Sequence, residues 1–377
     1  MNTKLREYFH SEDGQAWQLI VFTTFSVLLI GCLAIIFSNP SHTFPGFFSP
    51  WPAWWVQWDG LHYIDIALHG YQTAPDKRFL ISFYPLYPLA IRLLTSVIGN
   101  VQTAAWLIAN VSSLIGFFLF YKLARLDVGR QSATRALLAL MLFPTAYFFH
   151  LPYTEGLFLV CVMGAFYAVR KGRWDWAGLF GLGASLTRNQ GVILFPALLV
   201  EWWLARKKTG QALWKEFAYL CLILLGFGIY LWLNWHTFGS PFEFLRILPT
   251  AWGKAVDWPW VGLQRAWHIF ARAGISHVTL TTGLFEFLAS LGFMVACAWS
   301  YMRLRLSYTV YMFLTAFLAV ALSFYLSTPR YMLSSFPLFL LIGIGVKNWK
   351  MGLALMMVSV AFLTIYMSRF LSGAWAF

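Results

Sequence analysis

Charge is what this chain has least of. Only 11% of its 377 residues are Asp, Glu, Lys or Arg, and 60% are hydrophobic, whereas roughly a quarter of a soluble domain is charged. That scarcity excludes a soluble globular domain with a single anchor, because apolar runs recur from end to end. The runs also lack the alternation of lipid-facing strands, which excludes an outer-membrane barrel. No small-residue cleavage site follows the first run at residues 16–37, so it reads as a retained helix rather than a removed signal peptide. Cysteine is almost as scarce. Cys32, Cys161, Cys221 and Cys297 all sit inside apolar runs, as small packing residues do, and neither a disulfide nor a zinc site is expected. There is no internal repeat, low-complexity tract or linker, so residues 1–377 read as one membrane domain.

What is present is a polytopic all-α membrane protein. Its net charge of +13 would suit a nucleic acid, but the basic residues cluster at the ends of apolar runs, as topology signals do. The clusters are Lys4/Arg6, Lys122 to Arg135, Arg170 to Arg173, Arg206 to Lys215, Arg303/Arg305 and Lys347/Lys350. Placing all six in the cytoplasm requires an even number of passes between neighbours. The apolar segments divide that way: 16–37 and 103–123, 134–150 and 154–169, 176–187 and 191–204, 216–235 and 283–302, 307–326 and 331–346, then 351–368. The expected topology has about eleven transmembrane helices (nine to twelve) and a cytoplasmic N-terminus. Inside segments then hold 17 of the 27 basic residues, while the 14 acids divide evenly. A first external loop at 38–102 carries juxtamembrane helices, with 82–98 lying along the outer face. A second external segment spans 236–282. Several hairpins are too short to cross twice, so their turns are expected to be sunk and to line a cavity.

Five polar motifs converge on the outer face in this topology. "WDGLHYIDIALHGY" contains Asp59, which suits either a helix N-cap or a general base acting on a hydroxyl; Asp65 lies on another helical face. In "FYPLYPLAIR", Arg92 could snorkel to headgroups or hold a phosphate. Glu155 of "HLPYTEG" stands at a helix mouth, favoured there by the dipole or facing a cavity. "LTRNQG" puts Arg188, Asn189 and Gln190 in a sunken turn, which is expensive without an anion or polar ligand. Arg330 of "STPRY" is either an interfacial anchor or a bidentate phosphate donor.

These motifs, in this order, resemble the PIG-V family of mannosyltransferases, over residues 51 to about 340. The resemblance implies a GT-C type glycosyltransferase fold and an enzyme, a polyprenyl-phosphate-sugar-dependent hexosyltransferase. It would transfer a sugar, mannose by family likeness, to a hydroxyl of a lipid-linked or cell-envelope glycan with inversion. A bacterial relative is expected, in the plasma membrane with an external active site; in a eukaryote the site would be luminal in the endoplasmic reticulum. Asp59 matches the family's essential acid in the first external loop. Arg330, Arg188 and Arg92 become candidates for the donor phosphate. Trp58, His62, Tyr63, Tyr84, Glu155, Asn189 and Gln190 become candidates for sugar and acceptor. Expected partners are the donor, the acceptor and the bilayer, with no nucleic acid. No cofactor is required, and a divalent metal finds no ligand-spaced cluster. The competing reading is a flippase for a lipid-linked sugar, which explains intramembrane charge without a catalytic acid.

Overall fold

The computed structural model describes residues 11–38, 51–272 and 276–376. Lys4, Arg6 and the stretch 39–50 of the expected first external loop lie outside those residues. The main helices are α1 (Glu12–Ser38), α2 (Asp59–His69), α3 (Leu86–Ile98), α4 (Val101–Met141), α5 (Glu155–Arg170), α6 (Trp174–Thr187), α7 (Leu194–Thr209) and α8 (Trp214–Phe238). They continue as α9 (Pro259–Arg272), α10 (Glu286–Arg303), α11 (Leu306–Val320), α12 (Thr328–Leu333), α13 (Phe336–Gly345) and α14 (Trp349–Leu371).

Among the described residues, five helical stretches are long and apolar enough to cross a bilayer: Glu12–Phe37, Val101–Met141, Trp214–Phe238, His277–Arg303 and Trp349–Leu371. The shorter apolar helices are α3, α11 and α13. The expected pair 103–123 and 134–150 is instead one helix, α4. It is kinked at Gly129, whose φ of 74° only glycine adopts readily, and it ends at Met141. Residues 142–154 then run as turns, with one 3-10 turn at Ala146–Phe149. The stretch 307–326 likewise stops being helical at Val320, and 331–346 breaks into α12 and α13. Hydropathy registers apolar runs but does not see where tertiary partners take over the backbone hydrogen bonds.

Packing runs from α4 through α5 and α6 to α8, with α13 returning against α4. At the α4–α5 contact the backbones approach closely. A Cβ on Gly156 would lie 2.3 Å from Ser113 Oγ and 2.5 Å from Ala109 O. Gly156→Ala should therefore destabilise the protein by about 1–3 kcal/mol, the usual cost of overpacking. Thermal unfolding in detergent tests this against Gly228→Ala, where an added Cβ meets nothing within 4 Å.

The charged groups separate to the two ends of the bundle. Arg170, at the end of α5, pairs with Asp127 at 2.5 Å, and Tyr308 donates to the same carboxylate at 2.7 Å. Arg305 pairs with Glu201 at 2.9 Å. Glu155 opens α5 at its other end, roughly 23 Å away at 1.5 Å per residue. In the α6–α7 turn after Arg188, Gln190, Gly191 and Ile193 are buried.

Candidate active site

Four segments distant in sequence meet at the Glu155 end. They are the N-terminus of α2, the turn entering α5, the turn leaving α6, and α12. Glu155 Oε1 accepts from Arg188 Nη1 and from Arg330 Nε, both at 2.6 Å. Arg330 Nη1 reaches across to Asp59 Oδ2 at 3.1 Å. Arg188 also donates from Nε to Gln190 Oε1 at 3.0 Å and from Nη1 to Thr154 Oγ1 at 3.1 Å. The result is one alternating chain, Asp59–Arg330–Glu155–Arg188. Side-chain exposure grades along it: 1% for Glu155, 11% and 12% for Arg188 and Arg330, and 33% for Asp59. Asp59 is thus the carboxylate that meets solvent, and Glu155 is the one that holds the arginines. Each guanidinium keeps its Nη2 without a protein partner among the described residues.

Arg330 is fixed by its surroundings. The amides of Ser327 and Thr328 donate to the Glu286 carboxylate at 2.6 and 3.0 Å. Lys254 donates to Leu326 O at 3.2 Å, and Thr145 to Pro329 O at 2.9 Å. The guanidinium lies over the Phe148 and Tyr153 rings, 4.5 and 4.7 Å from their centroids, a desolvated cation–π arrangement.

Asp59 does not cap α2 with its side chain. Trp58 occupies the N-cap position, no side-chain capping bond is made there, and Asp59 is the first helical residue. Its carboxylate faces Arg330 and one wall of a cleft of about 430 Å³. His62, Arg78 and Phe79 also line it, together with Ile247, Thr250 and Trp252 of the segment 236–282. Arg78 also donates to buried Glu243 at 2.6 Å, joining the first loop to that segment. Burial holds the His62 imidazole below its usual value, partly offset by Asp59; the ring stands edge-on to Phe79 at 4.9 Å. Asp65 belongs elsewhere, paired with His69 at 2.7 Å and Lys77 at 2.6 Å.

Other expected site residues are dispersed. Arg92 is exposed and donates to Ala67 O at 2.6 Å, at the far end of α2; it satisfies a helix C-terminus and does not reach the cluster. Tyr84 is buried and stacks on Tyr230 at 3.8 Å. Tyr63 is core, edge-on to Phe83 and Tyr87. Asn189 is exposed, whereas Gln190 is buried on Arg188. Trp58 is 41% exposed and meets Trp375 edge-on at 5.6 Å. Sequence reasoning missed Tyr153, Glu286 and Lys254. Glu286 carried a signal, an acid within an apolar run; Tyr153 carried none, because a tyrosine near a membrane interface is ordinary. Among the described residues, no three His, Cys, Asp or Glu side chains gather as a metal-binding group.

Residues 83–235 match the family model described as dolichyl-phosphate-mannose-protein mannosyltransferase. The chain is similar to GPI alpha-1,6-mannosyltransferase 2 of Homo sapiens, 31% identical over 147 residues, 35% of this chain and 28% of that protein. The Rattus norvegicus protein of the same name is 30% identical over 156 residues, 38% of this chain and 30% of that protein. The matched region thus spans less than a third of these relatives. Among solved structures, the chain is similar to ArnT from Cupriavidus metallidurans bound to undecaprenyl phosphate. The TM-score is 0.54 at 14% identity, over 92% of this chain and 63% of that one. The resemblance to the PIG-V family read from the motifs is therefore found again by sequence, and the fold is ArnT-like, of the GT-C type. The chain is an integral, multi-pass membrane protein.

Proposed function

We propose that the protein is a glycosyltransferase that moves a sugar, mannose by family likeness, from a polyprenyl-phosphate donor to a hydroxyl of a lipid-linked or cell-envelope glycan. The observation that carries this reading is the Asp59–Arg330–Glu155–Arg188 chain, with Asp59 opening onto the cleft and two half-used guanidiniums behind it. The undecaprenyl phosphate bound by ArnT and the dolichyl-phosphate-mannose of the matching family model point to the same donor chemistry.

In the reaction, Asp59 takes the proton of the acceptor hydroxyl lying in the cleft. The hydroxyl oxygen attacks the anomeric carbon. The bond from that carbon to the phosphate oxygen breaks on the opposite face, so configuration inverts and the lipid phosphate leaves with the electron pair. Negative charge grows on the phosphate, and the preorganised Nη2 groups of Arg330 and Arg188 stabilise it. Glu155 holds both guanidiniums apart from bulk water; His62 and Trp252 line the acceptor side. We further propose that this site lies on the external face of the membrane and that residues 1–377 form a single domain; the basic residues at the ends of apolar runs support that sidedness.

The test is release of lipid phosphate from a polyprenyl-phosphate-mannose analogue by purified protein with lipid and glycan acceptors. Absence of turnover with every sugar donor, alongside transbilayer movement of the lipid in vesicles, would establish the flippase instead. Arg188→Lys should raise the donor KM about tenfold with a smaller change in kcat, because an ammonium cannot keep the fork that serves Glu155 and phosphate together.

A further inference from the structure

Trp58 is not glycine, yet its φ is 48° and its ψ −120°, a region that side-chain-bearing residues occupy only where surrounding structure enforces it. The enforcement is visible. The Asp59 amide donates to Tyr153 Oη at 3.0 Å, and the Tyr153 hydroxyl donates to Gln57 O at 3.1 Å. One hydroxyl therefore bridges the peptides on both sides of Trp58. The first amides of a helix have no partner within it, so Tyr153 supplies what a capping side chain would have supplied. The ring is 1% exposed and held between Phe148 and Phe370, at 5.2 and 6.0 Å. Its face also meets the Arg330 guanidinium.

We propose that Tyr153 is a positioning residue for Asp59. Its bridging hydroxyl holds the strained turn at Trp58 and thereby aims the Asp59 carboxylate at Arg330 and the cleft. Were the bridge absent, Trp58 would relax toward an ordinary backbone basin. Rotation there swings the start of α2 and carries the carboxylate away from the guanidinium. Because the same ring packs on Arg330, one residue sets the distance between the acid and the phosphate-side cation. The proposal rests on the reading of Asp59 as the base, but its geometric content can be tested separately.

Tyr153→Phe keeps the ring and removes only the hydroxyl. Hydrogen exchange of the peptide containing the Asp59 amide should accelerate at least tenfold in this variant, with protection elsewhere unchanged. The kcat for lipid-phosphate release, per folded molecule, should fall 10- to 100-fold, while affinity for polyprenyl phosphate stays within twofold. A second variant separates positioning from packing. In Trp58→Gly, where the residue adopts positive φ without strain, adding Tyr153→Phe should lower kcat less than threefold. Unchanged exchange at the Asp59 amide, or a kcat loss equally large in the Trp58→Gly background, would overturn the proposal. Wild-type protein that turns over no donor would overturn the glycosyltransferase reading instead, and the exchange measurement would still decide the role of the hydroxyl.

Discussion

Asp59→Asn is expected to lower kcat for lipid-phosphate release by about 10²- to 10⁴-fold, the range a positioned general base supplies. The substitution is nearly isosteric, and the amide oxygen can still accept from Arg330 Nη1, which reaches Asp59 Oδ2 at 3.1 Å. The cluster should therefore stay assembled and the donor KM should move little. The carboxylate is also the most exposed member of the chain, at 33%, and Arg330 keeps Glu155 as a charge partner, so less stability is lost than on removing Glu155. Asp65→Asn is the matched control. It removes a carboxylate of the same helix, paired with His69 and Lys77 rather than with any member of the Asp59–Arg330–Glu155–Arg188 chain, and should leave kcat within about twofold. Single-turnover measurements on both variants read the chemical step directly. Full activity in Asp59→Asn would mean that the acceptor proton goes elsewhere.

The largest stability effect is expected at Glu155. Its side chain is 1% exposed, and one oxygen accepts from both Arg188 and Arg330. Truncation to alanine leaves two guanidiniums, 11% and 12% exposed, without the carboxylate that offsets their desolvation. Breaking a buried pair in this way destabilises by about 3–5 kcal/mol, which thermal unfolding in detergent should register as a large fall in midpoint or loss of monodisperse protein. Glu155→Gln keeps an acceptor but not the charge, and should fall between the two. Its instability also has a specific remedy. A lipid phosphate would restore negative charge beside the arginines, so polyprenyl phosphate should raise the midpoint of Glu155→Gln more than that of wild type, by ligand linkage. Equal shifts in the two proteins would argue against the phosphate lying against this pair.

Several helices were legible from hydropathy to within a few residues. Residues 154–169 appear as Glu155–Arg170, 216–235 as Trp214–Phe238, and 351–368 as Trp349–Leu371. The merger of two expected spans into Val101–Met141 was not legible, because Gly129 looks like any loop glycine until its φ is known. The site divides in the same way. Glu155, Arg188 and Arg330 could be singled out one by one because a charge in an apolar setting needs a partner. Which charge partners which could not be read. Arg92 carries the same formal charge beside equally aromatic neighbours, yet it satisfies Ala67 O rather than joining the cluster.

By itself, then, the sequence determined that this is a helical membrane protein, which charges require explanation, and which family it resembles. Those properties follow from composition and local motif, since lipid sets the cost of every polar group regardless of its neighbours. Tertiary structure alone decided that Asp59 faces Arg330 instead of capping its helix, that Glu155 binds two arginines, and that one tyrosine hydroxyl bridges the turn at Trp58. Each of these is a hydrogen bond 2.6–3.1 Å long between residues as many as 271 positions apart, and at that range direction depends on how the helices pack, not on what the residues are.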